Sequence, residues 1–350
     1  MGDDDLHRSL GLYPTMMISM GAMIGSGIFV LPALGFKKAG PAVILAYVLA
    51  AAVVLPAALS KAEMATAMPE SGGTYLYIDR ALGPLFGTIA GIGAWFSLVF
   101  KSSFALVGLG AYLLLFAPLS QSAVIPVALA LGVLVVALNV SGTKLSGQVQ
   151  AVIVSLVVVS LAVYTLNAGF AADTARYAPF STGGNIGVVT AAAFVFVSYA
   201  GVTKVASVAE EVKDPGTNLP RAILGSMAIM TVLYVAVVGA VVGLSDPDVL
   251  KTGGPGGTAS LTPMADGASS LLGGFGVLFI SIVAVVALTS MANAGILSSS
   301  RFPLAMSRDD LFPEVFGRID QRFATPRNAV LLTGALLLTL IARVPVIDLA

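Results

Sequence analysis

The residues with most chemistry to offer are Ile24, Gly25, Ser26, Gly27 and Ile28, in the run Met20-Gly-Ala-Met-Ile-Gly-Ser-Gly-Ile-Phe29. The run lies inside an apolar stretch from about Leu12 to Leu34, long enough for a membrane-spanning helix. Gly21, Gly25 and Gly27 fall where such a helix should be most regular, and each Gly costs about 1 kcal/mol relative to Ala. Gly25-Ser26-Gly27 therefore predicts a point at which the helix opens. Opened backbone at membrane depth is tolerated only where it faces protein or lines a cavity. A half-helix that begins there exposes N–H groups and attracts anions; one that ends there exposes carbonyls. Amides at Ser26, Gly27 and Ile28 would suit a carboxylate, and carbonyls at Met23 and Ile24 an ammonium. Such a pair suits a zwitterion, and an amino acid is one.

A second polar, Gly-containing interruption, Phe196-Val-Ser-Tyr-Ala-Gly201, supplies Phe196, Val197, Ser198, Tyr199 and Ala200. Carbonyls near Val197 and Ala200 would complete the ammonium site. The two interrupted segments are five apart, so they cross in opposite directions. Paired interruptions in two inverted halves point to a secondary-transporter site. Close helix packing uses the same spacing: Gly21 and Gly25 form a small-xxx-small pair, as do Gly83, Gly87 and Gly91, and Gly239 and Gly243. Spacing alone does not choose between the two uses. The Gly-Ser-Gly triplet with a partner interruption favours binding.

Two lysines fall within apolar segments, where an ionisable residue is a functional hypothesis by default. Lys101 is either a proton-coupling amine, a fixed charge in place of a bound cation, or an ammonium paired with a carboxylate or snorkelling to the interface. Lys204, two turns before Glu210, is expected to form a structural ion pair near the cytoplasmic side. Thr289 and Ser290 interrupt an apolar segment; they either coordinate Na⁺ or bond back to the i−4 carbonyls. Glu63, Glu70, Glu210 and Glu211 are expected as gate or loop ion-pair partners. His7, the single His, is expected to be solvated, and there is no Cys. No nucleophile–base pair, phosphate loop or metal cluster is present in the pattern, so no catalytic residue, metal or cofactor is expected and the chain does not read as an enzyme.

The elements that must position these residues are membrane helices. The 350 residues are 57% hydrophobic and 10% charged, with mean hydropathy +0.96 and zero net charge. Soluble domains are nearer a quarter charged; the balance excludes nucleic acid as a partner. Nine segments are long enough to span: about 12–34, 40–59, 84–116, 122–140, 147–169, 186–209, 220–243, 269–299 and 328–345. They do not alternate, which argues against a β-barrel. The acidic start, Gly2-Asp-Asp-Asp5, and the length of the first segment argue against a cleaved signal peptide. With the N-terminus inside, eleven Lys and Arg fall in inner loops and five in outer loops, which favours that orientation. The loop Ser60 to Leu82 is too rich in turn formers to be plain helix, and a short amphipathic helix is expected near Phe302–Met306. The chain reads as one membrane domain over 1–350, with repeats at about 12–170 and 186–350.

Four stretches resemble the amino acid–polyamine–organocation (APC) transporters: Gly21-Ala-Met-Ile-Gly-Ser-Gly-Ile-Phe29, Ala62-Glu-Met-Ala-Thr-Ala-Met-Pro-Glu-Ser-Gly-Gly-Thr-Tyr75, Ala209-Glu-Glu-Val-Lys-Asp-Pro215 with Asn218-Leu-Pro-Arg221, and Ser298 to Pro326. The resemblance runs from about Leu10 to the C-terminus. It implies an all-α, LeuT-like inverted-repeat bundle with broken helices 1 and 6, in which carboxylate-binding backbone falls at Ser26, Gly27 and Ile28. Ammonium-binding backbone would fall at Ile24, Val197, Ser198 and Ala200. Some relatives carry an aromatic gate where this chain has Val197, leaving Phe196 or Tyr199 for that work. A proton-coupled relative has a Lys in helix five where this chain has Val157, leaving Lys101 or Thr289 and Ser290 as coupling candidates. Two five-helix repeats would need a tenth helix, so the chain reads as truncated after helix 9.

The resemblance implies an amino acid permease of the plasma (inner) membrane, working by alternating access as an H⁺-coupled symporter, with H⁺ or Na⁺ as the coupling ion. Amino acid exchange is an alternative, and a non-transporting sensor with the same fold is a rival from another class. Contacts through backbone recognise the amino acid core and not its side chain. With few charges near the pocket, a neutral or small substrate is favoured over a cationic one.

Overall fold

The computed structural model describes residues 8–116, 121–254, 257–320 and 322–343, and His7 lies outside them. The first helix, α1 (Leu12–Met23), stops after 12 residues, far short of a span. It resumes as α2 (Ser26–Phe29) and, after an offset at Val30, as α3 (Leu31–Ala39) with Pro32 in its first turn. Gly40 closes α3 at φ 63°, a conformation that only Gly adopts cheaply. The chain then enters α4 (Val43–Ala67), 25 residues and about 37 Å long.

Turn residues Gly72 and Gly73, both at positive φ, lead into the short α5 (Thr74–Leu82). Next come α6 (Pro84–Phe116), α7 (Val124–Val140) and α8 (Thr143–Ala171). The sixth predicted segment starts as α9 (Gly184–Val195) and passes at Phe196 into a 3₁₀ helix, Phe196–Glu211. Its interruption is thus a change of winding, with a kink at Val208, where the first helix has an extended gap. The chain ends in α10 (Pro215–Leu244), α11 (Pro247–Thr252), α12 (Pro263–Ser299), α13 (Arg301–Arg308) and α14 (Arg327–Arg343). A kink at Leu272–Gly273 divides α12. The amphipathic helix expected at Phe302–Met306 is α13.

Among the described residues there is no β-sheet, only two isolated bridges. Six helical stretches are long and apolar enough to cross a membrane: Leu31–Ala67, Pro84–Phe116, Leu145–Ala171, Gly184–Glu211, Pro215–Leu244 and Pro263–Arg308. The other predicted spans are α1, cut short by its break, and the 17-residue helices α7 and α14. Large apolar side chains lie exposed along α4 (Val53) and α8 (Val152, Leu156, Val159), as a lipid-facing surface requires. Buried at the centre, α1 packs against the 3₁₀ helix, α8, α10 and α12.

Several glycines serve that packing. A Cβ on Gly87 would lie 2.8 Å from Asp79 Cα, and one on Gly91 3.0 Å from Tyr75 Cδ2, so this stripe seats α6 on α5.

Candidate functional site

The break in the first helix is built residue by residue. Ile24 leaves the helix at φ −70°, ψ 109°, while its N–H still bonds Met20 O at 2.8 Å. Gly25 is extended (φ 178°, ψ −135°), and Ser26 re-enters helix. Both Ile28 and Phe29 donate their N–H groups to Gly25 O, at 3.0 and 3.1 Å. Of the three amides expected to face a carboxylate, Ile28 is therefore already engaged. The Ser26 and Gly27 N–H groups have no acceptor among the described residues.

Carbonyls freed by the break are met by tyrosines from three other helices. Tyr234 donates to Met23 O at 2.8 Å and reaches Ser198 O at 3.3 Å. Tyr47 donates to Gly27 O at 2.6 Å, and Tyr112 donates to Phe29 O. Buried backbone oxygens need such partners because no water reaches them. Sequence reasoning missed all three tyrosines. The signal was present: each places one hydroxyl inside a long apolar segment, where it must find an acceptor.

Glycines bring the sixth segment onto the first. A Cβ on Gly201 would lie 2.4 Å from Ala22 C and O, and one on Gly27 2.6 Å from Ser198 Cβ. Packing and site are thus one feature, since the glycines that open the helix also let the 3₁₀ backbone approach it. Tyr199 is fully buried behind this contact, with its hydroxyl on Tyr47 O at 3.2 Å and its ring edge-on to Tyr234.

Beside the break lies a cavity of about 560 Å³. Of the expected substrate residues, Ser26, Val197 and Ala200 line it. Ile24, Gly25, Gly27, Ile28, Ser198 and Tyr199 are buried outside its lining, and Phe196 is 43% exposed and also outside it. Neither aromatic proposed as a gate therefore faces the cavity. Phe100 and Phe104 of α6 and Phe302 of α13 form its aromatic walls instead. These residues are distant in sequence and carry no local mark.

The coupling candidates separate. Lys101 Nζ donates to Val197 O at 3.0 Å, a carbonyl expected to hold a substrate ammonium. Lys204 also lines the cavity, but the ion pair expected for it is absent among the described residues: its amine is buried with no hydrogen-bond partner. The kink at Val208 falls between Lys204 and Glu210, so the two do not lie along one continuous helix. Glu210 is held by Arg308 at 2.8 and 3.1 Å.

Thr289 bonds back to Val285 O, and Ser290 accepts the Gln150 amide at 2.8 Å. Gln150 Oε1 in turn accepts from Asn293, whose own oxygen accepts from Asn139 and Ser146. The Gln150 amide also lies against helix one, 1.8 Å from where a Cβ on Gly21 would sit. Thr289 Oγ1 gives its proton to the Val285 carbonyl and keeps its lone pairs, whereas Ser290 Oγ already accepts from Gln150. No group of His, Cys, Asp or Glu suited to a metal occurs among the described residues.

At one end of the bundle, charged groups tie the ends of these elements together. Glu211 forms a fully buried pair with Arg301 at 2.6 Å, and its backbone oxygen accepts the Ser9 and Leu10 N–H groups. Tyr75 donates to Asp309 at 2.6 Å, and Arg80 bonds the same carboxylate at 3.2 Å. Burial, reinforced by the Asp309 carboxylate, pushes the Tyr75 phenol above its ordinary range. Glu210 and Glu211 are thus ion-pair partners; Glu63 and Glu70 form no ion pair among the described residues.

A helix bundle opened at its first helix and rewound at its sixth, beside a central cavity, defines a multi-pass membrane transporter of the LeuT-like class. The chain belongs to the amino acid permease family, whose profile matches residues 15–346, within the APC superfamily. It is 31% identical to the branched-chain amino acid permease BcaP of Bacillus subtilis, over 100% of this chain and 77% of that protein. It is 32% identical to cationic amino acid transporter 9, chloroplastic, of Arabidopsis thaliana, over 90% of this chain and 58% of that one. The crystal structure of MhsT in complex with L-phenylalanine superposes with a TM-score of 0.69, covering 96% of this chain and 79% of that one at 16% identity. These relatives are named permeases and transporters, and the chain is a transporter and not an enzyme.

Proposed function

We propose that the chain moves amino acids across the plasma (inner) membrane by alternating access, with its N-terminus in the cytoplasm. The observation that carries this reading is the glycine-to-backbone seating of the rewound helix on the broken one, beside a cavity. Two free amides, at Ser26 and Gly27, suit the substrate carboxylate. The Val197 carbonyl, with Ala200 beside it, suits the ammonium. Relatives named for branched-chain and for cationic amino acids support an amino acid cargo. The excess of Lys and Arg in one set of loops supports the orientation.

We infer coupling to H⁺ rather than Na⁺. Ser290 Oγ, one of the two hydroxyls that would have to cradle a cation, already accepts from the Gln150 amide. Lys101 is the coupling candidate, because its amine sits on the carbonyl that a substrate ammonium would claim. Uptake of radiolabelled amino acids into proteoliposomes tests both statements. Uptake driven by an inward pH gradient is the expected result. Uptake that needs internal amino acid instead would establish exchange, and binding without uptake would overturn transport.

A further inference from the structure

We propose that the cavity selects amino acids carrying a second carboxylate, and that Lys204 receives it. The inference rests on the amino acid reading of the same site and names its substrate class.

Among the described residues, the ionisable side chains lining the cavity are Lys101 and Lys204; no carboxylate joins them. Lys101 already has an acceptor, Val197 O. Lys204 is 4% exposed, and its amine has no hydrogen-bond partner. A Cβ on Gly295 would lie 3.7 Å from Nζ, placing the amine against that helix beside Ser102, whose hydroxyl donates to Leu98 O instead. The two carboxylates further along the same helix, Glu210 and Glu211, are held by Arg308 and Arg301. An amine buried without a counter-charge carries its proton only at high cost, and a carboxylate brought beside it stabilises the ammonium form. Its position at a cavity wall makes the missing counter-charge a property of the cargo.

The charge count then discriminates between substrates. A neutral amino acid brings one carboxylate and one ammonium, and offers no second carboxylate to Lys204. A cationic one adds a third positive charge at close quarters, where like charges repel strongly. An acidic one brings net negative charge. The geometry agrees. With the α-carboxylate on the Ser26 and Gly27 amides and the ammonium beside Ala200, Lys204 lies four residues further along the 3₁₀ helix. That is about 8 Å along its axis, a gap bridged by a short acidic side chain and the four-carbon lysine stem.

Glutamate and glutamine provide the test, since they differ by one charge at nearly constant shape. Each is used as an unlabelled competitor and as a labelled substrate with the protein in proteoliposomes. Glutamate is expected to bind at least tenfold more tightly than glutamine, with arginine weakest. Lys204→Gln is expected to lower the glutamate-to-glutamine ratio at least tenfold, and Lys204→Arg to restore part of it. The ratio is read within one preparation, so partial loss of folded protein cancels. A wild-type protein that binds glutamine or leucine as tightly as glutamate overturns the anionic class and leaves amino acid transport standing. A ratio unchanged by Lys204→Gln overturns the role of Lys204. Binding of no amino acid at all overturns the transport reading and this one with it.

Discussion

Gly201 of the sixth segment rests on the backbone of Ala22 in the first, so closely that a Cβ at Gly201 would lie 2.4 Å from the Ala22 carbonyl. No rotamer change relieves that contact, because the obstructing atoms are main chain. The two interrupted helices are locked together at the point where the substrate is proposed to bind.

Gly201→Ala is therefore expected to destabilise the protein by about 1–3 kcal/mol, as overpacking does, and to reduce uptake. Gly27→Ala, against Ser198 Cα at 3.0 Å, is expected to act in the same direction. Gly93→Ala, with nothing within 4 Å, is the control and should be near neutral. Thermal melts of the detergent-solubilised variants measure the difference.

Tyr234→Phe removes one hydroxyl that serves both broken segments, at Met23 O and Ser198 O. Leaving buried carbonyls without a donor costs about 1–3 kcal/mol. The variant is expected to melt lower and to bind amino acid more weakly. Tyr13→Phe, which loses only a hydroxyl–hydroxyl contact with Ser155, should do neither.

Arg301→Ala strands Glu211, 1% exposed, without its guanidinium. Breaking a buried pair from one side typically costs about 3–5 kcal/mol, whereas replacing both partners with apolar residues is often neutral. The single variant is expected to lose most folded protein. The double variant Arg301→Met, Glu211→Leu should recover it, as measured by yield and melting temperature.

Replacing Na⁺ with choline on both sides of the membrane should leave uptake unchanged, since Ser290 Oγ accepts from Gln150 and Lys101 is the proposed coupling group. Gln150→Leu should destabilise the fold by about 1–3 kcal/mol, because Ser290 and Asn293 lose their partner in a closed network. A strict Na⁺ requirement would sink the assignment of H⁺ coupling.

Hydropathy and glycine placement are local, and they carried the reading a long way. The opening at Gly25, the all-helical membrane class, the amphipathic α13 and the ion-pair roles of Glu210 and Glu211 were all legible. The same local signals misread Lys204. Counting helical turns along the chain placed it near Glu210, but the kink at Val208 falls in that interval and Glu210 pairs with Arg308 instead. They also gave no sign that Ser290 bonds Gln150, 140 residues away along the chain.

The sequence by itself determined that this chain lies in a membrane as helices, that its first helix opens at Gly25, and that it is a permease. The first two follow from the order of apolar, small and turn-forming residues along one segment; the third rests on the resemblance of four stretches to a known family. Only the tertiary structure decided what meets the opening. Tyr47, Tyr112 and Tyr234 hold its carbonyls, Gly201 seats the second helix on it, Lys101 occupies Val197 O, and Lys204 lines the cavity without a hydrogen-bond partner among the described residues. The physical reason is that the apolar faces of such helices are nearly interchangeable. Which polar group reaches which carbonyl is set by how the bundle packs, and no single segment records it.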